Sequence, residues 1–373
     1  MRVVEAFREA YGDHPAGVWH APGRVNLIGE HTDYNDGLVL PFAVPWGITA
    51  AVRPRDDGTV RIASLQAPGE DQVLGDLDLA RGWARYAAGV FWALREEGHD
   101  VRGADILIDG DLPRGAGLAS SAALEVVTAL ALSDLYGLGL EPMELARIGR
   151  RAENEFAGVP CGIMDQAVSA LAREDHALFL DCRSLASRPV PFRPAEHGLR
   201  LLIIDTRVRH ALGDGRYAER RQECANAAKR LGVPALRDVT DLASALQRLS
   251  GAERARTQHV VTEIHRVQAA VGLMRAGALD QLGSLLISSH LSLRDQFQVS
   301  CPELDVAVEA AVGGGARGAR MTGAGFGGSV LALVPEGRLE DVEAAVREAY
   351  AARGWAEPGF LRAAPAAGAR RIA

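Results

Sequence analysis

Residues 104–136 read ADILIDGDLPRGAGLASSAALEVVTALALSDLY. A short apolar run with strand character, Ala104–Asp109, breaks at a loop carrying Gly115 and Gly117. From about Ser121 to Tyr136 the chain is again apolar, now at the length of a helix. A glycine loop between strand and helix lets backbone N–H groups turn inward, and the helix N-terminus adds partial positive charge. The combination is an anion site. Ser120 and Ser121 either bind phosphate oxygens or a cation, or simply cap the helix. A Walker-type phosphate loop is excluded, because it needs a lysine and Lys229 is the only lysine in the chain.

Working outward, Val3, Val4, Phe7, Ala10 and Tyr11 have helical spacing, and Gly17–Ala21 and Arg24–Ile28 are short extended runs. Residues 47–66 read as a hairpin, two β-rich runs flanking Asp56-Asp57-Gly58. Helices are expected over Trp83–Glu97 and Met143–Ala157. The second stops before Pro160, since proline disfavours helical geometry in the residue before it. Another helix starts near Gly162, followed by strands at Ala177–Asp181 and Leu201–Asp205. Residues 217–312 are mainly helical, and the close reads strand, glycine loop, strand (Ser329–Val334) and helix (Leu339–Ala352). Without regular βαβ alternation the class is α+β. The 373 residues suit two domains, divided near residue 195 into 1–195 and 196–373.

Net charge is −7, which argues against nucleic-acid and anionic-membrane partners. No apolar run approaches the roughly eighteen residues that span a bilayer. The first residues, MRVVEAFREAYG, lack the apolar core of a signal peptide. Cys161, Cys182, Cys224 and Cys301 are too scattered for a zinc site or a disulfide frame and read as reduced thiols. A soluble, cytoplasmic and monomeric protein is expected.

Two further loops stand out. Gly23–Gly37 (GRVNLIGEHTDYNDG) puts Glu30, His31, Asp33, Asn35 and Asp36 within a few positions. Carboxylates beside an imidazole both accept and donate, as a hydroxyl-rich ligand requires, although Asx turns have the same composition. Gly313–Gly328 holds eight glycines in sixteen residues and ends in MTGAGFGG after Arg320. So much glycine weakens strands. Its use is close approach of backbone to phosphates or to another loop, or a bulged turn. Glu153 and Asp165 flank Pro160 and Gly162. One carboxylate there could take a proton and its partner hold a divalent cation, although exposed carboxylates are common. His259 and His265 match no metal spacing, and Arg216, Arg220 and Arg221 read as a solvated helix face.

In this order GRVNLIGEHTDYN, LPRGAGLASSAALE, CGIMDQ and GARMTGAGFGG resemble the GHMP family of small-molecule kinases and, within it, the galactokinases. YAERRQECANAAKRLGV, lying between the last two, is similar to them as well, so the resemblance spans residues 17–334. It implies a two-lobed fold, with an N-terminal α+β domain, a C-terminal ferredoxin-like α+β domain and the active site between them. It also implies ATP and Mg²⁺, with galactose as the phosphoryl acceptor. Gly115, Ala116, Gly117, Leu118, Ala119, Ser120 and Ser121 would wrap the ATP phosphates, while Ser121 and Glu153 match the magnesium positions. Asp165 matches the base near the anomeric hydroxyl and Arg24 the adjacent cation. Glu30, His31, Thr32, Asp33, Gly162, Asp165 and Tyr217 match the galactose contacts. Ala119 departs from the family pattern, which usually has serine there. The complete set Ser121, Glu153 and Asp165 favours catalysis over a sugar-sensing relative that only binds.

Overall fold

The computed structural model describes residues 1–113, 115–209 and 215–373. The chain begins with α1 (Arg2–Tyr11), β1 (Gly17–Asn26), β2 (Leu38–Val39), β3 (Pro41–Arg55), β4 (Val60–Ser64) and β5 (Gln72–Leu74). It continues with α2 (Ala84–Glu96), β6 (Gly103–Gly110), α3 (Ser120–Leu135), α4 (Pro142–Arg151), α5 (Met164–Leu171), β7 (His176–Asp181) and β8 (Ser187–Pro191). Then come β9 (Leu199–Asp205), α6 (Arg216–Leu231), α7 (Leu242–Arg248), α8 (Gly251–Arg275), α9 (Leu282–Ser292) and α10 (Pro302–Gly313). The last elements are β10 (Gly318–Thr322), β11 (Ser329–Pro335), α11 (Leu339–Ala351), β12 (Gly359–Ala363) and β13 (Arg370–Arg371).

A six-stranded sheet, β13-β1-β3-β6-β4-β5, forms the first lobe. Helices α3 and α5 cover one face, with α2 packed against α3, and α1 covers the other through Val3 and Phe7 against Val18, Ala51 and Leu107. Buried on both faces, β1 and β6 read as continuous runs instead of alternating ones. Helix α3 is apolar around most of its circumference and sits in the middle of this packing, with Glu125 its fully buried acid. The second lobe is an antiparallel sheet, β10-β11-β9-β12, backed by α10 and α11. A small sheet, β2-β7-β8, completes the first lobe. The architecture is α+β and two-lobed.

Two expectations need correcting. Residues 47–66 are not a hairpin: β3 and β4 lie on opposite sides of β6, one antiparallel and one parallel to it. The Asp56-Asp57-Gly58 turn carries the chain across instead of pairing its flanks, because the apolar β6 takes the central place. The chain also does not end in the second lobe. Ala366 N–H bonds Ala43 O (2.9 Å), β13 pairs with β1, and Ile372 N–H bonds Val18 O (2.8 Å). The division near residue 195 falls between β8 and β9, with this terminal segment crossing back to the first sheet.

Candidate active site

Three loops meet between the lobes: one between β6 and α3, one between β1 and β2, and one between β10 and β11. In the first, Gly115, Gly117 and Ala119 are left-handed (φ 72°, 73° and 58°) while the residues between them are not. Alternating handedness turns successive N–H groups to one side, a backbone nest for an anion. The carbonyls face the other way and are all taken. Gly115 O accepts from Arg209 (2.6 Å), Ala116 O from Ser329 Oγ (2.7 Å), Gly117 O from Arg24 Nη1 (2.7 Å) and Leu118 O from Arg24 N (3.1 Å). Among the described residues no acceptor meets the N–H groups of Gly117, Leu118 or Ala119. Those groups and the N-terminus of α3 at Ser120 are what the loop offers a ligand. Ala119 contributes through its backbone, so the absence of a serine hydroxyl leaves the nest intact. Arg114 lies outside the described residues.

Arg24 is aimed into this space by a bulge. The β1–β3 register slips between Pro22 and Arg24, and a Cβ on Gly23 would stand 2.5 Å from Leu118 O. The Arg24 fork grips Asp165 at both oxygens (Nε–Oδ1 2.7 Å, Nη2–Oδ2 2.5 Å) while Nη1 holds Gly117 O. Arg24 is buried, and Asp165, in the first turn of α5, is partly open. One guanidinium thus ties a carboxylate to the anion loop.

Glu153 sits on the π-helical turn Ala152–Ala157, where α4 loosens ahead of Pro160. Burial, reinforced by the nearby Asp165 charge, lifts its pKa to about 7, while Cys161, the Ser121 hydroxyl and the Gln166 amide oppose the rise. Gln166 Nε2 donates to Glu153 Oε2 (2.7 Å) and to Glu125 Oε2 (2.9 Å). Burial, with Glu153 beside it, also pushes Glu125 well up. Glu125 was not foreseen as part of this site; its apolar helix hides it as a core position.

The second loop is clamped from the other lobe. Glu263 Oε1 on α8 accepts from Gly29 N (3.0 Å), and His259 Nε2 lies 3.0 Å from Glu30 O. His259, which matches no metal spacing, therefore shapes the loop. Glu30 accepts from Asn26 (2.6 Å), Thr322 (3.1 Å) and Gly323 N (2.7 Å), so its carboxylate is first of all a bridge to the third loop. Thr32 is fully buried, with its hydroxyl on the carbonyls of Gly29 and Leu38. His31 is left-handed (φ 62°) and stacks on Phe297 (4.6 Å between centroids), near Tyr34 and Tyr217. Burial drops its pKa to about 3, so the ring is neutral. Asp33 packs against Gly162, where a Cβ would fall on its carboxylate. Burial first, then the charges of Asp165 and Glu30, raise the Asp33 pKa to about 7, with Tyr34 N–H and Arg221 opposing.

The third loop approaches another loop. Gly323 comes within reach of Gly117 O and Gly328 of Ala116 O. Gly325 is left-handed (φ 85°) and packs on Val299 O, where a Cβ would collide. Its constraint is protein packing, so Gly325→Val damages the fold of the loop before any phosphate contact. Arg209 was missed as well: it lies across Gly115 and pairs with Asp205 (2.9 Å), and no pattern in its neighbourhood announces it.

Residues 5–54 match the galactokinase galactose-binding signature, 85–173 the GHMP kinases N terminal domain and 270–352 the GHMP kinases C terminal domain. A galactokinase of Streptomyces coelicolor is 52% identical over 99% of this chain and 98% of its own length. One from Streptomyces lividans is 48% identical over 93% and 89%. The crystal structure of Lactococcus lactis galactokinase complexed with galactose superposes with a TM-score of 0.95 at 33% identity, covering 100% of this chain and 99% of that one. A mevalonate kinase from Methanococcus jannaschii, 18% identical with a TM-score of 0.67 over 95% and 98%, shares the fold.

Proposed function

Because this chain belongs to the galactokinase family within the GHMP kinases, we propose a residue-by-residue assignment of its active site to that chemistry. The chain transfers the γ-phosphoryl group of ATP to the anomeric hydroxyl of galactose, giving galactose 1-phosphate and ADP. The observation that carries the assignment is the Arg24 guanidinium, which joins Asp165 to Gly117 O. Phosphoryl transfer needs little covalent help; it needs in-line placement and neutralised charge. Residues Gly115–Ser121 hold the phosphates through the nest, and Asp165 orients the attacking hydroxyl. Both Asp165 oxygens already accept from Arg24, so the carboxylate directs the hydroxyl proton more than it strips it. Arg24 offsets charge that develops between them. Glu30, His31, Thr32, Asp33, Gly162 and Tyr217 form the sugar side, with Glu30 and Thr32 acting chiefly through the loop's shape.

The donor set fits a magnesium ion. Glu153 and the Ser121 hydroxyl are adjacent hard oxygen donors, and a bound cation would favour the ionised form that burial disfavours at Glu153 and at Glu125 beside it. A cation held by two protein ligands and completed by phosphates and water is the usual magnesium arrangement. When bound, magnesium neutralises phosphate charge. Ser121→Ala or Glu153→Ala should raise the magnesium concentration for half-maximal rate by on the order of tenfold or more. An unchanged titration midpoint in both variants would count against the site. Galactose-dependent ADP release, abolished by chelating magnesium, tests the whole reading.

Asp33 carries a pH signature. As the carboxylate it accepts from sugar hydroxyls, but its pKa of about 7 leaves it protonated in acid. Galactose binding, measured by calorimetry, should weaken by up to about tenfold for each pH unit below 7 and level off above it. Asp33→Asn should flatten the profile; a profile equally steep in the variant would refute the assignment. For stability the sign is opposite. The raised pKa lets the native state keep a proton that the unfolded chain releases, so this contribution is complete below 3.8 and lost as pH rises through 7.

We also propose that the chain works as a cytoplasmic monomer. Its cysteines are free, and its exposed large apolar side chains, such as Val73, Leu79 and Leu291, are scattered. No helix among the described residues is long and apolar enough to cross a membrane.

A further inference from the structure

Helix α4 carries Arg147, Arg150 and Arg151 at helical spacings of three and four, so they share a face. That face meets Arg221 of α6, and the four line an open cavity of about 560 Å³ together with Glu97 and Glu155. Both acids are spent on Arg151, at 3.3 and 3.1 Å. Arg147, Arg150 and Arg221 have no ion pair or hydrogen bond to their guanidinium groups among the described residues. Most other arginines here have one: Arg220, next to Arg221, bonds Glu223 at 2.9 Å. A solvated helix face would spread its charges outward. In a chain of net charge −7, unpaired arginines instead converge from two helices on one concavity. Planar guanidinium forks match phosphate oxygens better than any other side chain does.

The cavity shares a wall with the sugar side. Its floor includes Asn154 and Cys161, joined by Cys161 N–H to Asn154 Oδ1 (3.0 Å). Cys161 precedes Gly162, the glycine under Asp33. On α6, Arg221 lies one turn beyond Tyr217, whose ring is 5.7 Å from His31 and 5.6 Å from Tyr34. An anion reaching from α4 to Arg221 would therefore tether the helix that carries Tyr217.

We propose that this cavity is a binding site for a phosphate group, free or as a monoester, and that its occupation holds α6 and Tyr217 against the sugar loop. The second half rests on the assignment of that loop to galactose. The test is calorimetric titration of inorganic phosphate into the full chain, its nucleotide site filled with magnesium and a non-hydrolysable ATP analogue. Wild type should show a saturable site, and Arg147→Ala/Arg150→Ala should weaken it by on the order of tenfold or more, from lost charge-assisted hydrogen bonds. Both arginines are exposed, so the variant keeps the fold, which its melting temperature verifies. Phosphate should tighten galactose binding in wild type and not in the double variant. Glucose 6-phosphate separates the sources: tighter binding than phosphate identifies a monoester, equal binding the free ion. No saturable binding, or equal binding in both proteins, would overturn the site. Phosphate binding without any change in galactose affinity would overturn the tether. A chain that bound phosphate through these arginines but never bound galactose would keep the site and refute the sugar-loop assignment.

Discussion

Asp165→Asn should lower turnover by roughly 10²–10⁴, the range for a lost acid–base group, while galactose affinity stays within a few-fold. The asparagine keeps the shape of the side chain and replaces one acceptor oxygen with a donor. Arg24 now points Nε and Nη2 at both carboxylate oxygens, so the amide would set an N–H against an N–H at one of them. The fork then shifts, and its third bond, to Gly117 O, shifts with it. The loss therefore combines a missing acceptor for the hydroxyl proton with a displaced phosphate loop. Rates from ADP release and affinity from calorimetry separate the two quantities. Near-normal turnover would refute the role given to Asp165.

Gly162→Ala should cut kcat/KM for galactose by on the order of 10²-fold, the scale of a misplacement of about 1 Å at a reacting group, with the KM for ATP little changed. Gly162 does not need the left-handed region, so its backbone tolerates alanine. The obstacle is the methyl group alone, which would land on the Asp33 carboxylate. Asp33 must rotate away, taking its acceptor oxygens with it. Kinetics at saturating ATP, with a melting curve as control, read this out. Equal loss toward both substrates would point to a folding defect and refute the contact.

What could be read along the chain was local. The strand, glycine loop and helix of residues 104–136 were legible because glycine and apolar spacing write themselves into short windows. The same holds for the break of α4 before Pro160. Pairing partners were not legible: β3 and β4 each read as β-rich, and nothing in either shows that β6 stands between them. The return of β13 to β1 was hidden for the same reason, since its partner lies at the opposite end of the chain. Among the candidate residues, Asp33 and Asp165 were legible in their polar surroundings while the roles of Arg24 and Gly162 came only from the motif resemblance, and the structure brings Arg24 to Asp165 and Asp33 to Gly162. The residues that hold the loop in place, His259 and Glu263 on α8, came from a helix with no sign of chemistry. Glu125 was disguised by its apolar neighbours, and Arg221 by two arginines with different employment: Arg220 pairs with Glu223, and Arg216 lies over Phe326.

The most direct test of the central claim is the initial rate of ADP release with magnesium and ATP on galactose and on its C4 epimer, glucose. Polar groups dominate the sugar side, and a site built to pair with a hydroxyl leaves those groups unpaired when the hydroxyl moves. Galactose should be phosphorylated readily, and glucose more slowly by roughly 10⁴ or more. Comparable rates on the two sugars, or no ADP release with galactose, would contradict the account.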